Sequence, residues 1–134
     1  MNLIVFDTSV LVDDLRTGCH AHRIQNITGF IRYSSVVLAE LLRGATTSAE
    51  RELIADLGGN NAALTPTEKN WLESGEILSR MRADLGFRPS KLRDLHFDVL
   101  IALTARSHGA RLITSNRADF QAIQKYRKFD LEVW

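Results

Sequence analysis

Short apolar runs alternate with segments of helical pattern, and this alternation constrains the fold more than any other feature. The run Leu3–Phe6 is continuously apolar, which is typical of a strand buried on both faces of a parallel sheet. Further strand candidates are Phe30–Tyr33, Ala62–Leu64, Ala110–Thr114 and Phe129–Trp134. Strands that alternate with helices predict an α/β fold with a mainly parallel sheet and right-handed crossovers.

The segments between these runs carry the starts and stops of helices. We predict helices over Val10–Leu15, His20–Ile27, Val36–Arg43, Thr47–Leu57, Thr67–Leu85 and Leu92–His108, with another inside Ser115–Tyr126. Thr65 is the expected cap of the fifth helix and Pro66 suits its first turn. The chain has no repeat and no linker, so its 134 residues predict one domain, residues 1–134.

The composition excludes several classes of protein. One cysteine, Cys19, cannot form an internal disulfide or a zinc site built from several thiolates of one chain. No basic residue precedes the apolar start, and Asp7 interrupts it, which is unlike a signal peptide. No apolar run approaches the ~18 residues of a membrane span. We therefore expect a cytoplasmic protein without a membrane partner.

Acidic residues occur where an α/β fold places its chemistry, beyond the carboxyl ends of the strands. Asp7 directly follows the first strand, Glu40 lies in the helix after the second, and Asp119 follows the strand that ends at Thr114. Asp98 interrupts the apolar segment 97–103 of a predicted helix. An ionised carboxylate on such a face costs several kcal/mol unless it is paired or bound to a metal.

Each acid alone has an ordinary explanation. Asp7 could cap the first helix, Glu40 could pair with Arg43, Asp98 with a distant arginine, and Asp119 could be a surface acid at a helix start. Converging carboxylates, however, repel one another and raise each other's pKa, a cost that a divalent cation removes. Because the acids offer only oxygen ligands, Mg²⁺ or Mn²⁺ is the expected ion.

Four segments together resemble the motifs of PIN domains, specifically the VapC-type toxins of bacterial and archaeal toxin–antitoxin pairs. These segments are 3–11, 35–44, 98–109 and 112–120, in the family's order and over nearly the whole chain. The resemblance implies a PIN-like fold, a twisted parallel sheet flanked by helices. It also implies a Mg²⁺- or Mn²⁺-dependent endoribonuclease that inhibits translation.

The family's acidic residues carry over onto Asp7, Glu40 and Asp98, which the resemblance makes both catalytic and metal-binding. The fourth acid varies in the family; here Asn116 stands at one candidate position, and we choose Asp119, three residues later. Hydrogen bonds to the ligands or to a phosphate are expected from Ser9, Thr114, Ser115 and Asn116.

The resemblance also implies partners, namely an RNA substrate, a cognate antitoxin and a second copy of the chain in a homodimer. Val12, Leu15 and Ile24 are candidates for the protein interfaces or for the core. The expected RNA contacts are Arg80, Arg82, Arg88, Lys91 and Arg93. The formal net charge of +1 argues weakly against nucleic acid, but without the four site acids the chain carries 17 basic and 12 acidic residues.

Three other functions deserve comparison. A receiver domain is similar in size but needs a lysine after a late strand, where this chain has 114–117 Thr-Ser-Asn-Arg. A phosphatase with an Asp-x-Asp-x-Thr motif needs a second aspartate where Ser9 stands. A non-catalytic module with a PIN fold is the third, and the presence of the acids argues against it.

Overall fold

Four parallel strands form the central sheet in the computed structural model, which describes residues 2–59 and 61–134. The strands are β1 (Leu3–Phe6), β2 (Phe30–Arg32), β3 (Arg111–Thr114) and β4 (Leu131–Val133). Their order across the sheet is β2-β1-β3-β4, and every pairing is parallel. The predicted α/β fold with a parallel sheet is confirmed, and β1 and β3 are its two central strands.

Helices connect the strands. They are α1 (Thr8–Thr17), α2 (Ala21–Gln25), α3 (Ser35–Gly44), α4 (Ser48–Leu57), α5 (Glu68–Leu85), α6 (Pro89–Ser107) and α7 (Arg117–Gln124). The core contains Ile4, Val5 and Phe6 of β1 and the buried segment 99–105 of α6. None of the described helices is both long enough and apolar enough to cross a membrane.

The predicted cap of α5 and the predicted start of α6 are wrong. Thr67, not Thr65, caps α5, because its side chain accepts from the Asn70 backbone while the Asn70 side chain accepts from the Thr67 backbone. This reciprocal pair satisfies two backbone donors that would otherwise lack partners. Helix α6 begins at Pro89 rather than Leu92. Proline suits this position because the backbone N–H of a first helical residue has no partner within the helix, so its absence costs nothing.

The predicted strand Ala62–Leu64 is also wrong. Only an isolated bridge between Leu64 and Ser34 forms there, in which Ser35 N donates to Leu64 O at 2.8 Å and Leu64 N donates to Tyr33 O at 2.9 Å. Three apolar residues are too short a signal to distinguish a strand from a single bridge.

Candidate active site

Asp7 joins the end of β1 to the start of α1, and its side chain is both a helix cap and a buried acid. Its Oδ2 accepts from Ser9 Oγ at 2.6 Å, from Thr114 Oγ1 at 2.9 Å and from Ser9 N at 3.4 Å. No hydrogen bond from the described residues reaches its Oδ1. Asp7 can therefore cap α1 and still offer an oxygen to a metal ion, because the hydrogen bonds occupy Oδ2 and leave Oδ1 free.

Asp98 lies on α6. Its side chain is half-buried and accepts no hydrogen bond from the described residues. No side-chain hydrogen bond reaches its carboxylate, and none of the ion pairs in the described part of the chain includes it. The pKa of Asp98 is raised to about 8, chiefly by burial and further by the charges of Asp7, Glu40 and Asp119. Lys91 opposes this shift. The alternative of an Asp98 paired with a distant arginine is therefore absent from the described residues.

Glu40 faces the same group of acids from α3. Its Oε1 accepts from Thr8 Oγ1 at 2.7 Å, and its Oε2 lies 3.8 Å from Arg43 Nη2. Burial raises the pKa of Glu40, the Thr8 hydrogen bond opposes this, and the nearby Asp7 charge adds to the rise. The expected Arg43 pair does form, but the arginine side chain is 71% exposed and only partly offsets the rise.

Asp119 lies in the first turn of α7 and is the most fully paired of the four acids. Lys91 Nζ donates to its Oδ1 at 2.9 Å, and Asn116 Nδ2 donates to its Oδ2 at 3.0 Å. Burial alone would raise the pKa of Asp119, but these two hydrogen bonds outweigh it and the pKa is lowered. Asn116 thus orients the carboxylate and also caps α7, where its Oδ1 accepts from Asp119 N at 3.4 Å.

The four acids form a group that suits a hard divalent cation. All offer oxygen ligands, and the unpaired Asp98 carboxylate facing other negative charges is the kind of group that such an ion stabilises. Within residues 2–59 and 61–134, no three His, Cys, Asp or Glu side chains are already arranged as a metal-binding group. The residue types fit Mg²⁺ or Mn²⁺, which proteins commonly hold through one or two carboxylates together with water.

Comparison with known proteins identifies the family. The family model described as PIN domain matches residues 4–126. The chain belongs to the PIN domain family. No curated protein sequence matches this PIN domain.

Solved structures similar to this PIN domain include three VapBC complexes. DNA-bound VapBC from Salmonella typhimurium has a TM-score of 0.74 at 22% identity, covering 100% of this chain and 99% of that chain. VapBC2 from Rickettsia felis, bound to a DNA fragment from their promoter, has a TM-score of 0.69 at 21% identity and covers 98% of both. VapBC-1 from nontypeable Haemophilus influenzae has a TM-score of 0.68 at 23% identity, again covering 98% of both. Identities this low show a shared fold.

The five basic residues predicted to contact RNA have different surroundings in this PIN domain. Lys91 lies inside the acid group as the partner of Asp119. Arg80 packs over the ring of Tyr126, with its Cζ 5.1 Å from the ring centroid. The remaining three, Arg82, Arg88 and Arg93, are exposed. Their role in binding RNA stays a prediction.

Sequence reasoning missed Thr8 and Asp13, and it assigned Lys91 to RNA binding rather than to the acid group. Thr8 holds Glu40, Lys91 pairs with Asp119, and Asp13 accepts a hydrogen bond from Ser115 Oγ at 3.0 Å. Asp13 follows Ser9 by four residues, so the helical spacing of α1 places both on one face. That spacing was the available signal, whereas the Thr8 and Lys91 contacts cross between distant segments.

An apolar groove lies beside the acids, between α1, α3 and α4. Val12 and Leu15 line it together with Leu53 and Ile54, Glu40 lies at its edge, and its volume is about 470 Å³. Both Val12 and Leu15 were predicted as interface or core residues. Leu15 is exposed, whereas Val12 is partly buried and packs against the core as well as lining the groove. The third candidate, Ile24, packs against the core from α2.

Proposed function

We propose that this PIN domain is a Mg²⁺- or Mn²⁺-dependent endoribonuclease and the toxin of a toxin–antitoxin pair, and that its activity inhibits translation. The observation that carries the proposal is the Asp98 carboxylate, which is half-buried, lacks a donor and faces three other acids. In the metal-free protein this group stays protonated at neutral pH, and a bound cation is what would stabilise its ionised form. The match to the PIN model favours this function over a receiver domain or an Asp-x-Asp-x-Thr phosphatase.

The proposed reaction is hydrolysis of an RNA phosphodiester bond. A bound divalent cation would supply positive charge to the phosphate and lower the pKa of a water molecule. Asp7 Oδ1 and Asp98 would hold the ion, and Glu40 and Asp119 would complete the group. Ser9 and Thr114 keep the Asp7 carboxylate in one orientation through its other oxygen. Neither a serine nor a cysteine nucleophile is needed.

RNA would be held by the basic residues around the acids. Arg43 lies within 3.8 Å of Glu40, and its guanidinium also packs over the Phe97 ring at 5.8 Å from the centroid. Arg88 and Arg93 are exposed on α6 or just before it, on the element that carries Asp98. Guanidinium groups contact phosphates in bidentate geometry and stack on bases, so these residues suit a single-stranded RNA loop.

Lys91 occupies one oxygen of Asp119, so it competes with a cation for the acid group. We expect Lys91→Met to tighten Mn²⁺ binding by about tenfold, or about 1.4 kcal/mol, because a positive charge leaves the site and a carboxylate is released. Calorimetric titration of the purified protein with Mn²⁺ measures this. Lys125→Met, at the exposed end of α7, is the matched control. Weaker Mn²⁺ binding in Lys91→Met would mean that Lys91 supports the site.

The groove between α1, α3 and α4 is the proposed antitoxin site. The similar structures are of VapBC complexes, and the groove is apolar and reaches Glu40. An amphipathic segment of the antitoxin would place apolar side chains against Leu15 and Leu53 and a basic side chain toward the acids. The proposal also includes a homodimer of this chain, which sedimentation of the purified protein would detect.

A charge in the groove should prevent antitoxin binding. We expect Leu53→Glu to weaken binding of the protein encoded by the neighbouring gene by at least about tenfold, because the carboxylate would be buried without a partner. RNA cleavage by the free protein should be unchanged. Leu72→Glu is the matched control, since Leu72 is 67% exposed on α5 and does not line the groove. Equal binding by both variants would place the antitoxin elsewhere.

Incubation of the purified protein with total cellular RNA tests the proposed activity. Cleavage should require Mg²⁺ or Mn²⁺, stop with a chelator and leave 5′-phosphate ends at reproducible positions. Metal binding without any RNA cleavage would favour the non-catalytic PIN module instead.

A further inference from the structure

Asp13 lies outside the group of four acids but is linked to it by three consecutive hydrogen bonds. Ser115 Oγ donates to Asp13 Oδ2 at 3.0 Å, and Ser115 N donates to Ser9 Oγ at 3.1 Å. Ser9 Oγ donates in turn to Asp7 Oδ2 at 2.6 Å. The connection therefore joins the middle of α1 to the loop after β3 and ends on the carboxylate at the end of β1.

The donor and acceptor in each of these hydrogen bonds show which group Asp13 holds. The single hydrogen of Ser9 Oγ points to Asp7, so Ser9 must accept from Ser115 N. The Ser115 hydroxyl has two neighbouring acceptors, Asp13 Oδ2 at 3.0 Å and Ser9 Oγ at 3.3 Å. A carboxylate is the stronger acceptor of the two, so Asp13 holds this hydroxyl and fixes the side chain of Ser115.

The loop that Asp13 holds also carries the second donor to Asp7. Thr114 is buried, donates from Oγ1 to Asp7 Oδ2 at 2.9 Å and accepts from Asn116 N at 2.9 Å. A shift of residues 114–116 relative to α1 would therefore loosen the Thr114 donor to Asp7 and remove the Ser115 N–H contact that fixes Ser9 Oγ. It would also move the start of α7, which carries Asp119.

We propose that Asp13 is a positioning residue for the metal-binding acids. It anchors the β3–α7 loop on α1, which keeps Asp7 Oδ2 fully hydrogen-bonded and its Oδ1 directed away for a cation. This inference rests on the proposed function, because it assigns a role toward the same ion. The Asp13 side chain is 49% exposed. The buried His20 lies beside it, with Nε2 3.9 Å from Asp13 Oδ2, too far for a hydrogen bond.

Two substitutions of Asp13 separate positioning from simple loss of charge. Asp13→Ala removes both the acceptor and the charge. It should weaken Mn²⁺ binding by about tenfold, the lower end of the effect of losing a direct partner of a metal ligand, because Asp13 acts on Asp7 through Ser115 and Ser9. Asp13→Asn removes the same charge but keeps an oxygen acceptor for Ser115 Oγ. It should restore Mn²⁺ affinity to within about threefold of the original, as expected for an acceptor role.

Asp14→Ala is the matched control on the same helix. Asp14 Oδ1 accepts from His20 N at 3.1 Å, so this variant disturbs the turn after α1 without touching the β3–α7 loop. We expect its Mn²⁺ affinity to equal that of the original protein. The loss of RNA cleavage in Asp13→Ala should be explained by its weaker metal binding. Saturating Mn²⁺ should therefore restore most of its turnover, and its KM for RNA should be unchanged.

A readout in the metal-free protein keeps this inference testable apart from the proposed function. Hydrogen exchange at the Ser115 amide, followed by NMR with a chelator present, should accelerate in Asp13→Ala and stay slow in Asp13→Asn. Unchanged Ser115 exchange in Asp13→Ala would overturn the positioning role, and so would equal Mn²⁺ affinities of the Ala and Asn variants. Failure of the original protein to cleave RNA would refute the proposed function alone, since the exchange result would still decide the role of Asp13.

Discussion

Substituting Asn for Asp98 is expected to lower the rate of RNA cleavage by more than about 100-fold, because loss of even an outer partner of a metal ligand costs about 10- to 100-fold. An amide removes the negative charge while keeping the size of the side chain. Asp7→Asn should have a similar effect, and asparagine remains a good helix cap, so α1 should still begin at residue 8. Initial rates on a single-stranded RNA substrate at saturating Mg²⁺ measure both variants.

Asp94→Asn is the matched control for this experiment. Asp94 lies one turn before Asp98 on α6 but is exposed, and the site is built without it. We expect its cleavage rate to stay within about twofold of the original, as surface substitutions usually have small effects. Full activity in a folded Asp98→Asn protein would contradict the proposed mechanism. Circular dichroism of each variant separates loss of chemistry from loss of fold.

The second large effect concerns the stability of the metal-free protein. The pKa of Asp98 is raised from 3.8 to about 8 in the folded state, so between these values the folded chain holds a proton that the unfolded chain has released. Stability must then fall as the pH rises through this window, by up to about 1.4 kcal/mol per pH unit. The raised pKa of Glu40 acts in the same direction. Urea unfolding between pH 5 and pH 8, with a chelator present, measures this decline.

Two comparisons test the cause of that decline. Asp98→Asn cannot ionise at this position, so its unfolding free energy should depend much less on pH and should exceed that of the original protein near pH 8. Asp94→Asn should retain the original pH dependence. Mg²⁺ should stabilise the original protein most at high pH, where the folded Asp98 is ionised. A free energy of unfolding that is independent of pH in the original protein would show that Asp98 carries no such cost.

Together, these two expected results describe a residue that is needed for activity but lowers the stability of the metal-free protein. Asp98→Asn should be nearly inactive and, without metal, more stable than the original at neutral pH. Active sites commonly retain groups that destabilise the fold because the chemistry requires them. The same substitution thus tests the proposed function by its rate and the electrostatic argument by its stability.

Much of the fold follows from local pattern. Short apolar-rich runs predicted the strands of the sheet, with β1 the one that is continuously apolar, and the parallel pairing follows from the helices between them. Errors occurred where local signals were short or had two interpretations, as at Ala62–Leu64 and at the Thr65 cap. The predicted start of α6 at Leu92 is three residues late, although Pro89 suits the first turn of a helix.

The amino-acid sequence by itself determined which residues could do the chemistry, because Asp7 ends a buried strand and Asp98 interrupts an apolar helix face. Tertiary structure decided how these acids are held. Thr114 reaches Asp7 across 107 residues, and Lys91 reaches Asp119 across 28 residues. Periodicity reports which face of an element is buried, but it carries no information on which distant side chains meet there. The hydrogen bonds that occupy Asp7 Oδ2 and leave its Oδ1 free, and the burial of Asp98 beside the other acids, exist only once the sheet and α6 are assembled.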